Sequence, residues 1–548
     1  MRFTIYFIFF LLIISCSQTP TKYWEPYDEQ AELTENQAHE NPRMRYKLIQ
    51  SKFLDKDALW APFEKELNKF GLEKYETLKP LILEQDIPTI QAHIAAAKLS
   101  YEELTTFYLY RIRSLESDKS TTLNTILALN PDVIEQARQK DKNKKAALHP
   151  IYGMPILLKD NINTADMPTT AGAAILAHHQ PDEDAFIVSR LKAKGALILG
   201  KVNLSEWAYF FCEGCPLGYS AIGGQTLNPY GRRIFESGGS SSGSGVAVAA
   251  NYAVAAIGSE TSGSILSPSI KNSVVGFKPT IGLVSRTGIV PISSTLDTAG
   301  PMTKNVADNA IVLDAIAATD PKDNITTTAP RVMVFLEQEV APSSLEGVRL
   351  GAMTNLMEAD SLYRNAVQDL VEAGAEVITY TPERVPLDGF ISILNGDMRN
   401  DLPAYFQQSS TEEFKTLDVQ AVVDFNKQDS TLYMPYEQAR LDGVISDTIS
   451  SSGLAQTKDK LNKTASSFFS IPMNTHNLDA ILSMNYDHAA HAAISFYPCL
   501  TVPMGYSTDG EPAGLTFIAP SFSEEKLLAL GAAYESVTKH RKAPKGYQ

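Results

Sequence analysis

Cysteine is scarce, with four in 548 residues, far too few to staple a small scaffold, so stability must come from a packed core. Cationic charge is also in deficit. Against 63 Asp+Glu there are 48 Lys+Arg, a formal net charge of −15, which argues against unaided nucleic-acid binding because counterion release needs concentrated Lys and Arg. Glycine (32) and proline (30) fall short of a collagenous or low-complexity chain. The remainder is an ordinary globular composition, 44% hydrophobic and 20% charged. Its length alone is compatible with three or four domains or with one large α/β body.

The chain starts with one early cation, Arg2, and an apolar run that stops at Cys16. The run is shorter than the ~20 residues that span a bilayer and reads as a secretory signal over residues 1–15. Its end, Ile13-Ile14-Ser15-Cys16, resembles the lipobox of bacterial lipoproteins, which implies acylation of Cys16 and an extracytoplasmic, lipid-anchored protein of the cell envelope. A plain cleaved signal or a buried helix is the competing reading. Residues 16–50 are polar, without sustained apolar period, and are expected to be a flexible tether; docking of Trp24 and Tyr27 on the body is the alternative. Residues 51–548 are expected to form the folded body.

Residues 48–115 show helical spacing, with a capping box at Ser100 and Glu103. Short apolar runs at 154–160 and 196–200 flank an amphipathic stretch at 186–194, the alternation of an α/β fold. Ser523, Glu524 and Glu525 open a last helix whose Leu527, Leu530, Tyr534 and Val537 share a face. Residues 330–480 carry mixed helical segments and little else that is legible.

Residues 237–245 read Ser-Gly-Gly-Ser-Ser-Ser-Gly-Ser-Gly, with an apolar stretch immediately after. A linker would join separate bodies, and a phosphate loop would continue into Gly-Lys-Ser/Thr. Gly239 to Gly243 match the G-x-S-x-G nucleophile elbow, but His476, His488 and His491 make poor triad partners and no oxyanion-loop motif precedes the run. Ser523 to Lys526 match Ser-x-x-Lys only as a helix start.

A second small-residue segment, residues 258–265, reads Gly-Ser-Glu-Thr-Ser-Gly-Ser-Ile, and Gly276-Phe277-Lys278-Pro279-Thr280 follows. Together with Lys159-Asp160, Gly200-Lys201, Glu206-Trp207, residues 223–230 and residues 297–302, this ordered set resembles the amidase signature family, closest to its bacterial peptide-amidase branch. The likeness runs from about 85 to 320 and resumes at 497–503. It implies a single large α/β domain, with a mixed central sheet flanked by helices on both faces.

It also implies a serine amidase that turns a carboxamide, a C-terminal peptide amide foremost, into carboxylate and ammonia through an acyl-enzyme. By matched position Ser264 is the nucleophile, Ser240 the bridging serine and Lys159 the base. A lysine accepts a proton near neutrality only if burial lowers its pKa, and the apolar run before Lys159 would bury it at a strand end. Backbone N–H groups of Thr261, Ser262, Gly263 and Ser264 are the expected oxyanion donors. Gly238 and Gly239 supply tolerant backbone for a cis peptide before Ser240, and Ser241 supports the network. Ser262 and Leu266 depart from the commonest family pattern, where glycine and arginine are frequent. No metal or organic cofactor, nucleic acid or partner subunit is implied, so a monomer is expected. The rivals are an aliphatic or aromatic amide or ester hydrolase of the same family, a glutamine-dependent amidotransferase subunit, and a non-catalytic envelope binding lipoprotein. Cys212-Glu-Gly-Cys215 is expected to be two ordinary loop thiols, with a disulfide or a zinc site as alternatives. Cys499 is expected beside a strand, buried.

Overall fold

The computed structural model describes residues 22–144, 149–330, 345–409 and 411–548. The apolar leader, Cys16 and the start of the expected tether lie outside the described residues.

The short apolar runs become strands β1 (Ile126–Leu129), β2 (Pro155–Lys159), β3 (Leu197–Val202), β4 (Tyr219–Ser220), β5 (Gly224–Gln225), β6 (Ala255–Glu260), β7 (Val275–Lys278), β8 (Thr298–Thr303), β9 (Arg349–Met353), β10 (Glu376–Tyr380), β11 (Ala480–Met484), β12 (Cys499–Tyr506) and β13 (Pro512–Ile518). Eleven of them form one sheet in the order β1-β3-β2-β6-β8-β7-β12-β13-β11-β9-β10, and β4 and β5 make a separate ribbon. The sheet is mixed. β3, β2 and β6 run parallel, as do β11, β9 and β10, and the remaining pairs are antiparallel. Every residue of β2, β3, β6 and β8 is buried, so both faces of these strands are covered.

Two features of this sheet position the chemistry. β2 and β6 are parallel neighbours, with Leu157 opposite Ala256, so the ends carrying Lys159 and Ser259 emerge together at the carboxyl edge, where open α/β sheets hold their sites. The second feature is a layer of helices Phe390–Ser409, Val419–Asn426, Ala439–Ser446 and Ser451–His476. Their apolar faces pack with Trp207, Phe210 and Phe211 in a second buried cluster. Among the described residues no helix is long and apolar enough to cross a membrane.

The outer helices form where their caps direct. Ser100 accepts from the Glu103 N–H while the Glu103 side chain accepts from the Ser100 N–H, the full capping box, and opens Tyr101–Glu116. Near the other end of the chain, helix Glu524–Thr538 buries Leu527, Leu530 and Tyr534, while Val537 on the same spacing is exposed because it lies in the last turn.

Residues 22–50 differ from the expected flexible tether. They include a helix, Gln30–Asn36, and lie on the body: Met44, Tyr46 and Ile49 are buried, and the Ile49 carbonyl accepts from the Gln225 N–H at 2.9 Å. Asp57 accepts from the Tyr23 and Trp24 N–H groups at 2.6 and 2.8 Å, and the Lys56 ammonium sits 3.8 Å from the Trp24 ring centroid. A few spaced apolar anchors suffice to dock a segment whose average composition is polar. Trp24→Ala should therefore lower stability by about 2 kcal/mol and make residues 22–50 sensitive to limited proteolysis. An unchanged unfolding midpoint and cleavage pattern would show the docking to be energetically idle.

Candidate active site

Lys159 ends β2 with a fully buried side chain. Its Nζ donates to Ser240 Oγ at 2.8 Å, to Ser259 Oγ at 2.9 Å and to the Ser259 carbonyl at 3.1 Å. Those three oxygens are neutral. Burial lowers the pKa of Lys159 to about 7 even though the charges of Asp297 and Glu260 pull the other way. Lys201 on the next strand differs in its partner, Asp160 at 3.2 Å, although burial lowers its pKa as well. The acidic neighbour of Lys159 in sequence thus serves a different lysine, and among the described residues no carboxylate forms an ion pair with Lys159 itself.

Ser240 comes from the loop before helix Ser242–Ala249, and the Gly239–Ser240 peptide is cis. The loop at Gly238 and the first turn of the helix at Gly243 have room for nothing larger than glycine. Gly238 has φ +67°, and a Cβ there would meet Pro268 Cα at 2.6 Å; at Gly243 it would meet the Asn203 carbonyl at 2.4 Å. Ser205 N–H donates to the Ser240 carbonyl at 3.0 Å, which fixes the turn from the other side.

Ser264 lies in the segment after β6 and is 8% exposed. Its carbonyl accepts from the Ser241 N–H at 3.0 Å, and Ser241 Oγ donates to the Ser259 carbonyl at 3.0 Å. Ser241 therefore ties the Ser240 loop to the strand and segment that bear Ser259 and Ser264. Lys159, Ser240, Ser241, Ser259 and Ser264 are drawn into one hydrogen-bonded neighbourhood. No histidine joins it among the described residues: His488 bonds Ser483 Oγ at 2.7 Å and stacks on Phe468, and His491 bonds the Val385 carbonyl.

The four expected oxyanion donors divide. Gly263 N–H donates to Glu260 Oε1 at 2.7 Å, which removes it from the set. Glu260 Oε2 takes the Ile265 and Leu266 N–H groups at 2.6 and 3.0 Å. One buried carboxylate thus shapes the whole turn around Ser264 and leads the chain into helix Leu266–Lys271. The N–H groups of Thr261, Ser262 and Ser264 engage no acceptor among the described residues. The Thr261 hydroxyl donates to Asp297 Oδ1 at 2.5 Å, and Asp297 Oδ2 accepts from the Ile292 and Ser293 N–H groups. Burial raises the Asp297 pKa to about 6.

A cavity of about 190 Å³ opens beside this cluster. Its lining includes Asn161, Ala208, Ser259, Thr261, Asp297, Arg286 and Asp401, together with Tyr405 from the helical layer. Asn161, Ser259, Glu260 and Asp297 are site residues that the sequence does not single out. Glu260 and Asp297 stand inside the family motifs, but their spacing from Ser264 and from Thr261 gives no sign of which backbone groups they cap.

Cys212 and Cys215 are not loop thiols: they form a disulfide, with Cα atoms 5.9 Å apart. Gly214 at φ +69° turns the chain back between them. Cys499 is a free, buried cysteine at the start of β12.

Residues 103–422 match the Amidase family, and the chain belongs to it, as an amide-hydrolysing enzyme. A probable amidase of Arabidopsis thaliana is 35% identical over 484 residues, covering 85% of this chain and 92% of that protein. Peptide amidase from Stenotrophomonas maltophilia superposes with a TM-score of 0.80 at 37% identity, covering 84% of this chain and 98% of its own. An amidase family protein from Bacillus anthracis gives 0.86 at 34% identity, with coverages of 91% and 99%. A glutamyl-tRNA(Gln) amidotransferase component from Thermus thermophilus is 30% identical over 485 residues, covering 83% of this chain and 98% of that protein, so family membership alone leaves the substrate open.

Glu260→Gln keeps the size but puts an NH₂ where a backbone N–H now finds an acceptor. Activity should fall at least about tenfold with far-UV circular dichroism unchanged, and wild-type kcat/KM in this variant would dismiss Glu260 as the organiser of the turn.

Proposed function

We propose that the protein hydrolyses primary carboxamides, C-terminal peptide amides foremost, through an acyl-enzyme on Ser264. The observation that carries this reading is the 2.8 Å bond between a buried lysine lacking a carboxylate partner and Ser240 Oγ. A lysine in that state can take a proton, which an ordinary surface lysine at neutral pH cannot.

Ser264 Oγ attacks the carbonyl carbon, and its proton passes to Ser240 Oγ as the Ser240 proton passes to Lys159 Nζ. The negative charge that develops on the substrate oxygen meets the N–H groups of Thr261, Ser262 and Ser264. When the C–N bond breaks, the proton returns from Lys159 through Ser240 to the nitrogen, and ammonia leaves. Water then attacks the ester on Ser264 by the same relay, releasing the carboxylate and restoring the serine. Likeness to a peptide amidase along 84% of the chain supports peptide amides as the substrate class, and the cavity beside Thr261 offers room for the acyl part.

The leader ending in Cys16 supports an extracytoplasmic, lipid-anchored location. The Cys212–Cys215 disulfide fits an oxidising compartment.

Ammonia release from a panel of peptide amides, aliphatic amides and aromatic amides tests the substrate: peptide amides should lead, and preference for simple amides would move the assignment to the same-family alternative. Lys159→Ala should abolish turnover while the fold persists, and full activity in that variant would remove the relay. Cys16→Ala should shift the protein from the membrane fraction to the soluble one; continued sedimentation with membranes would contradict the anchor.

A further inference from the structure

Asn161 follows the strand that carries Lys159 and is 2% exposed. Its amide is oriented by two acceptors. Nδ2 donates to Ser259 Oγ at 2.9 Å and approaches the Val290 carbonyl at 3.5 Å, and since a carbonyl can only accept, Nδ2 must face that side. The backbone is pinned as well, because the Asn161 carbonyl takes the Val290 N–H at 2.8 Å. The other end of the side chain, Oδ1, is buried and has no hydrogen-bond partner. Asn161 lines the cavity next to Ser259 and Thr261. Ser259 Oγ receives both Asn161 Nδ2 and Lys159 Nζ, so this unused acceptor stands one side chain away from the base.

A buried carbonyl oxygen without a donor is unfavourable, and such a group in a cavity is a place where a ligand N–H belongs. The scissile group of a primary amide brings two N–H donors. During cleavage the nitrogen takes its new proton from Ser240, and its own hydrogens must point at acceptors elsewhere in the site. We infer that Asn161 Oδ1 receives one N–H of the scissile carboxamide and thereby selects amides over esters. This rests on the amidase reading above and deepens it: Asn161 is a specificity-determining residue that reads the leaving nitrogen, while Ser259 aims it.

The leaving group that would fail is defined by the same geometry. An N-methyl amide keeps one N–H for Oδ1, whereas an ester brings no donor at all and leaves Oδ1 unpaired.

The test compares three substrates with one acyl group, an N-acyl amino acid as its primary amide, N-methyl amide and methyl ester, on the wild type, Asn161→Ala and Asn161→Asp. The N-methyl amide, which keeps an N–H, should follow the primary amide across the variants. In N161A the kcat/KM for the primary amide should drop about tenfold more than that for the ester, because only the amide loses a partner. N161D restores an acceptor and should recover much of the amide-to-ester ratio, with its pH–rate midpoint moved upward by the new anion near Lys159. Equal losses on amide and ester in N161A, or no recovery of the ratio in N161D, would overturn the assignment and leave Asn161 a structural support for Ser259. A wild type that cleaves the ester and no primary amide would instead defeat the amidase reading itself, whatever the variants do.

Discussion

The site depends on keeping a lysine side chain out of water and away from any carboxylate. Lys159 is enclosed by the β2 and β6 strand ends and is offered three neutral oxygens, that of Ser240 and the two of Ser259. An ammonium there would lack a counter-ion at contact distance, so burial favours the neutral amine and brings its pKa to about 7. The parallel pairing of β2 with β6 follows as a requirement, since it is what sets Ser259 against Lys159.

The anions stand one step back. Glu260 holds three backbone N–H groups around Ser264, and Asp297 holds the Thr261 hydroxyl together with two N–H groups of the cavity wall. Both bind the segment that bears Ser264 without touching Lys159, which lets charge organise the turn while no carboxylate pairs with the lysine. Ser241 then links that segment to the cis-peptide loop of Ser240. The helices from residue 390 to 476 contribute Tyr405 to the cavity lining, and Ala208, a few residues before the Cys212–Cys215 disulfide, belongs to it too.

Much of this was legible in the residues. The strands at 155–159 and 197–202 and the Ser100 capping box follow from motifs or periodicities that act locally, and the segments bearing Lys159, Ser240 and Ser264 come together as neighbours. What was not legible depends on contacts distant in sequence. Residues 22–50 read as a tether because their anchors Trp24, Met44, Tyr46 and Ile49 are diluted by polar neighbours, and their partners, Lys56, Asp57 and Gln225, lie elsewhere. The Gly263 N–H was expected to face the substrate, but a carboxylate three residues earlier reaches it first. Asn161 gave no signal, since an asparagine after a strand is ordinary until its carbonyl oxygen is found buried and unpaired.

The central claim is that neutral Lys159 activates Ser264. The pH dependence of fluorophosphonate labelling addresses it without reference to any substrate. The second-order labelling rate should rise through a midpoint near 7, level off above it, and mark Ser264 in the digested protein. A rate that does not change with pH, a midpoint near the ordinary lysine value, or a label on another residue would contradict the account.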